Sequence, residues 1–130
     1  MNNTFDCNAE DARKSNLLLQ AALLREQGQY DRAASLFAEA AAIEERLAES
    51  AEAQGDTPHA LRHRFSVASG WAQAGDFHHA LALLSILEER SDTPPSFRER
   101  VQTFTRVLRE QRKQWSLALG ETRWAPFYGE

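Results

Sequence analysis

The chain contains one cysteine, Cys7, so no internal disulfide can staple it, and that fits a reducing compartment. Proline and glycine are also scarce, four and six residues, and they cluster instead of recurring every few positions. That spacing argues against an all-β fold with its regular turns. No stretch alternates apolar and polar residues with the Val, Ile and Thr enrichment of a strand. No apolar run approaches the ~20 residues needed to cross a bilayer. The opening "MNNTFDCNAEDARK" lacks a basic start followed by an apolar core, so no signal peptide is expected and the cytoplasm is the default location.

Charge of one sign is lacking as well. The net value is −4, spread unevenly: residues 1–60 carry five basic and eleven acidic side chains, and residues 61–130 carry ten and eight. The most basic stretch, "RERVQTFTRVLREQRK" (98–113), sets six cations against two carboxylates. A nucleic-acid binder needs a far more cationic face, so the stretch reads as a solvated helix and no nucleic-acid or membrane partner is expected.

What remains is 130 residues, 42% of them apolar, enough for one domain with one core. Punctuation falls at Gly28, Gly55, Gly75 and Pro94-Pro95, and the segments between are rich in helix formers with apolar residues three and four apart. The expected fold is all-α, with five helices and no sheet. The first covers about 9–27, with Leu17, Leu18, Ala21 and Leu24 inward. The second covers 30–53, with Ala33, Phe37, Ala40, Ile43 and Leu47 inward and an acidic flank in solvent. The third opens at "DTPHA", capped by Asp56 or Thr57, with Pro58 at its first position and Leu61, Phe65, Ala68 and Trp71 inward. The fourth covers 77–90, with Phe77, Ala80, Leu81, Leu84 and Leu87. The fifth covers 95–119. Gly70 is isolated within a helical pattern, where it can make room for packing.

Gly interrupts helices at about 1 kcal/mol against Ala, so its recurrence marks reversals where a helix ends in a left-handed residue. Two reversals share more than glycine. Gly28, Tyr30, Ala33 and Phe37 align with Gly75, Phe77, Ala80 and Leu84 at a shift of 47 residues. The aromatic is expected to wedge between the two helices, the alanine to let them approach, and the later apolar residue to close the pair.

This pattern resembles the tetratricopeptide repeat, a helix-turn-helix family. The first unit reads Ala21, Leu24, Gly28, Tyr30, Ala33, Phe37, Ala40. The second reads Ala68, Trp71, Gly75, Phe77, Ala80, Leu84, Leu87, and the resemblance covers about 14–91. It departs from the family in its period, 47 residues instead of 34, because the second helix is long. It departs also at Leu17 and Arg64, where the first consensus aromatic would stand.

The resemblance implies stacked antiparallel hairpins (1–119) that bind another protein or a peptide in a groove lined by the first helix of each unit. Carried over position by position, the groove comprises Ser15, Leu18, Ala22 and Arg25 with Arg62, Phe65, Ser69 and Ala72. It is apolar with flanking arginines, and the Lys and Asn of the family's carboxylate clamp are absent. Phe65 can equally serve the core. The fifth helix either caps the stack or forms a homodimer through a seam of Phe97, Val101, Phe104, Leu108 and Trp115, which would make the chain a structural subunit. The tail 120–130 carries Trp124, Phe127 and Tyr128 around Pro126, fitted to fold back on the domain or to dock on another protein.

No catalytic constellation is visible. His59 and His63 stand four apart, but "HALRH" lacks the catalytic glutamate of a zinc motif, and with His78 and His79 they read as turn-surface residues. Glu44-Glu45 and Glu88-Glu89 read as solvated pairs. The expected protein is a non-enzymatic adaptor or chaperone with no metal and no cofactor.

Overall fold

Asp6, Asp56 and Asp76 each accept a hydrogen bond from the backbone N–H three residues on, at 3.1, 3.3 and 3.0 Å, and each opens a helix. In the computed structural model, which describes residues 5–119, the helices are α1 Cys7–Glu26, α2 Tyr30–Ala53, α3 Thr57–Gln73, α4 Phe77–Glu89 and α5 Pro95–Leu119. Among the described residues there is no strand, and no helix is long and apolar enough to cross a membrane. The chain is all-α, with successive helices packed on their neighbours.

The three glycine turns are one turn built three times. Gly28, Gly55 and Gly75 have φ of 80, 73 and 91°, a region that L-residues with a side chain seldom enter. The residue after each glycine returns its N–H to the helix just ended: Gln29 to the Leu24 carbonyl, Asp56 to Ala51 and Asp76 to Trp71, all at 2.9 Å. This six-residue closure satisfies a terminal carbonyl, and the same residue then opens the next helix. Short reversals of this kind oblige the helices to lie antiparallel.

The fourth connection works differently. α4 ends without glycine, and Thr93, itself buried, donates its hydroxyl to the Leu87 carbonyl at 2.8 Å. Arg98 reaches back from α5 to the carbonyls of Glu88 and Arg90, both at 2.8 Å. Side chains thus bond three carbonyls at this helix end, where those of Leu87 and Arg90 otherwise accept only long backbone bonds of 3.4 Å.

Two boundaries differ from the sequence expectation. α1 starts at Cys7 instead of residue 9, because Asp6 supplies the cap. Asp56 caps α3, so Thr57 takes the first helical position and Pro58 the second, where its missing N–H still costs nothing.

α2 lies between α1 and α3 and packs on both. The expected inward residues Ala33, Phe37, Ala40, Ile43 and Leu47 are buried, but so are Ala41, Glu44, Ala48 and Ala51. A helix with a partner on two sides buries more than one stripe. Gly70 meets Ala41 at the crossing of α3 over α2, where a side-chain carbon on Gly70 would stand 2.9 Å from the Ala41 methyl.

The apolar interior forms two clusters. One joins Ala21, Ala33 and Phe37 with Leu18, Leu24, Leu36 and Ala74. The other joins α3, α4 and α5 through Leu61, Ala68, Ala80, Leu84, Leu87, Val101 and Leu108. The residues related by 47 behave alike: Ala21 and Ala68, Ala33 and Ala80, Phe37 and Leu84 are all buried. Tyr30 and Phe77 do not. Phe77 packs on the second cluster, whereas Tyr30, expected as the wedge of the first pair, stands 67% exposed. Phe37, under the Arg25 guanidinium, supplies the buried aromatic of the first pair.

Candidate functional site

The α1–α2 turn, the α3–α4 turn and the far end of α5 converge on one cleft of about 350 Å³. Arg25 and Tyr30 come from the first turn, Gln73, Ala74 and Gly75 from the second, and Trp115 from α5, with Asp31, Ala34 and Phe37 at the floor and side. The glycine turns put it there. Both reverse direction at the same end of the domain, and α5, nearly twice as long as α4, carries Trp115 beyond α4 to meet them.

Arg25 organises the wall. Its guanidinium carbon lies 4.9 Å from the centre of the Phe37 ring, and its Nη1 donates to Gln73 Oε1 at 3.5 Å, tying α1 to α3. A guanidinium over an aromatic face is held electrostatically while its outer N–H groups remain available. Tyr30 and Trp115 are 67% and 59% exposed, two large aromatic surfaces left to water at the mouth. Asp31 adds a carboxylate with no ion-pair partner among the described residues. The cleft can therefore hold an aromatic or aliphatic side chain and meet either sign of charge beside it.

Of the sequence-derived groove residues, Arg25 alone lines this cleft. Ser15 and Arg62 are exposed, while Ala22, Ser69 and Ala72 are half-buried, and Leu18 packs into the α1–α2 cluster. Phe65 is turned to the interior. Its ring lies 5.8 Å from that of Phe97 and 5.3 Å from that of Phe104, and the Arg100 guanidinium sits 5.3 Å over it. α5 thus covers the part of α3 that the groove would have left open.

The same contacts dispose of most of the proposed dimer seam. Val101 and Leu108 are buried within the chain, and Phe97 and Phe104 pack against the α3–α4 cluster, so four of the five residues serve the fold. Trp115 is the one left outside, and it faces the cleft. Trp124, Phe127 and Tyr128 lie outside the described residues. Spacing alone groups Trp115 with the seam and makes Tyr30 a wedge between α1 and α2; their meeting needs the α5 path, which no local pattern specifies.

Glu44 overturns the reading of a solvated carboxylate pair. It is buried among three helices, accepting from His63 Nδ1 at 2.7 Å and facing Lys14 Nζ at 3.1 Å. Lys14 also reaches Asp11 at 2.8 Å. Burial works against the Lys14 charge, but the hydrogen bonds to Asp11 and Glu44 outweigh it and hold its pKa above the ordinary value. The hydrogen bond from Lys14 holds Asp11 below its own. Glu45, its neighbour, is exposed.

The histidines prove structural in part. His63 belongs to the Glu44 network, and His79 lies 4.6 Å from the Trp71 ring. His59 pairs with Asp56 at 2.7 Å. Among the described residues no three His, Cys, Asp or Glu side chains gather as a ligand set. Cys7 Sγ lies 3.4 Å from Ser50 Oγ, at the α1–α2 contact.

Three other depressions lie among the described residues. One, between α2, α3 and α4, is bordered by ion pairs of Glu52 with Arg64 at 2.8 Å and with Arg90 at 2.7 Å. A second lies between α1 and α2, beside the exposed Leu23, with Leu36, Gln20 and Arg32. A third is polar, between Glu88 of α4 and Gln102, Arg106 and Arg109 of α5. No family model, no curated protein and no solved structure matches this chain.

Proposed function

We propose that the chain is a non-enzymatic protein-interaction module of tetratricopeptide-repeat type, an adaptor or chaperone that holds a short peptide segment from a partner. The cleft between the two glycine turns and Trp115 carries this reading. It exposes Tyr30 and Trp115 in a concave site of about 350 Å³ with Arg25 and Asp31 alongside, and exposed aromatics beside arginine are the residue types that anchor protein partners. The repeat pattern at a shift of 47 supports it further, since stacked helical hairpins present such hollows.

The test is a random-peptide selection on the full chain, with the recovered peptides re-measured by fluorescence polarisation. Tyr30→Ala and Trp115→Ala should each weaken binding at least tenfold, and Ile86→Ala, remote on α4, should leave it unchanged. Peptides that bind all variants equally would remove the cleft from the function.

Self-association through α5 is the second reading. Its seam is largely spent inside the chain, which leaves it Val107, Trp115 and Leu117 as exposed apolar residues. A strict monomer by sedimentation at high concentration would exclude it.

A further inference from the structure

The cleft lies close to the segment that follows α5 in the sequence. Trp115 lines it, and α5 is described to Leu119, about one turn further on. Eleven residues follow, "GETRWAPFYGE", with three aromatics, Trp124, Phe127 and Tyr128, within nine positions of Leu119. At about 3.3 Å per extended residue, Trp124 can reach about 17 Å from Leu119, and the whole segment about 36 Å. One helical turn back to Trp115 is about 6 Å. The segment is thus long enough to double back onto the cleft from which it starts.

Its chemistry matches. The cleft offers two exposed aromatic faces, Tyr30 and Trp115, and the segment supplies aromatic partners three and four residues apart. Glu121 and Arg123 carry the charges opposite to those of Arg25 and Asp31. Pro126 sits between Trp124 and Phe127 and has no N–H to satisfy. It also limits the freedom the segment must lose on docking. A segment tethered this close has a high effective concentration at the site, in the millimolar range for short linkers.

We propose that residues 120–130 of this chain occupy the cleft formed by Arg25, Tyr30, Gln73, Gly75 and Trp115, so that a partner must displace them. This rests on the reading of the cleft as a peptide site, and it gives that site both a regulation and a ligand class: a short segment with aromatic residues three or four apart.

The probe is a synthetic peptide of residues 120–130, titrated into two full-length chains, the wild type and a W124A/F127A/Y128A variant. The substitutions lie outside residues 5–119. The variant should bind the peptide, and the wild type should bind it at least tenfold more weakly, because its own segment competes. Adding Tyr30→Ala to the variant should abolish binding. Both chains should sediment as monomers. No binding by the variant, or equal binding by both chains, would overturn the proposal. A wild-type dimer that the three substitutions dissolve would overturn it too, since the segment would then sit in a second copy. If random-peptide binders still depend on Tyr30 and Trp115 while the 120–130 peptide fails, the occupant is wrong and the peptide site stands. If both fail, the site itself is wrong.

Discussion

Gly70 of α3 meets Ala41 of α2 so closely that a methyl on Gly70 would lie 2.9 Å from the Ala41 side chain and 3.3 Å from its Cα. Neither neighbour is the end of a flexible side chain that could swing aside. The crossing of α2 and α3 joins the two halves of the domain.

Gly70→Ala should therefore destabilise the protein, although Ala is the better helix former by about 1 kcal/mol. Overpacking costs about 1–3 kcal/mol, and the expected net loss is about 1 kcal/mol, a drop of about 4 °C in Tm. Calorimetry checks it, and a Tm at or above wild type would show that the helices can part freely at this point.

Gly28 and Gly75 differ from Gly70 in kind. A side chain at either would meet nothing within 4 Å, yet φ is 80 and 91°. Gly28→Val and Gly75→Val should each cost more than about 1 kcal/mol through backbone strain alone. Because the penalty is conformational, Asn should be milder than Val at both sites. Urea midpoints for the four variants would show the order, and equal losses for Asn and Val would count against strain.

Glu44→Ala should cost about 3 kcal/mol, because it strands Lys14 and His63 around an emptied buried position. Replacing all three together by Met, Leu and Leu should recover most of the loss, since desolvated ion pairs are often replaceable by apolar packing. Chemical denaturation of the single and triple variants tests both halves of the statement.

The pH dependence follows from this network and from the separate pairing of Glu52 with Arg64 and Arg90. Asp11 is held below its ordinary 3.8, and Glu52, hydrogen-bonded by Arg64 and Arg90, below its ordinary 4.5. Their contributions are complete above those values and are lost as pH falls through the lower folded-state pKa values. Lys14 runs the opposite way: its contribution is complete below the ordinary 10.5 and is lost as pH rises through the raised folded value. Stability should thus fall at acid pH and again in strong alkali. Lys14→Met should remove the alkaline loss that this residue causes, measured by urea midpoints across pH.

Arg98 spans the α4–α5 junction with hydrogen bonds to the carbonyls of Glu88 and Arg90. Arg98→Ala should cost about 1–3 kcal/mol, and Arg98→Lys should not restore it, because an ammonium cannot fork to two carbonyls in the same geometry. A Lys variant as stable as wild type would show that charge alone matters there.

Helix bounds to within two residues, the three reversals and the Asp56 cap were legible in the amino-acid order, because each depends on residues within one turn of one another. Gly28 and Gly75 announce their left-handed turns locally, as Asp56 and Pro58 announce α3. That α2 buries a second flank, with Ala41, Glu44, Ala48 and Ala51, was not legible. Glu44 reads like Glu45 until α3 brings His63 and α1 brings Lys14 to the same flank. Phe65 likewise fits either a groove or a core until Phe97 and Phe104 arrive from α5. Tyr30 fits a wedge by pattern, yet the packed pair leaves it in solvent. Periodicity states which residues share a face, but the crossing of two helices decides which faces meet. The cleft at Trp115 belongs entirely to that second kind of information: its walls come from three elements whose convergence only tertiary packing sets.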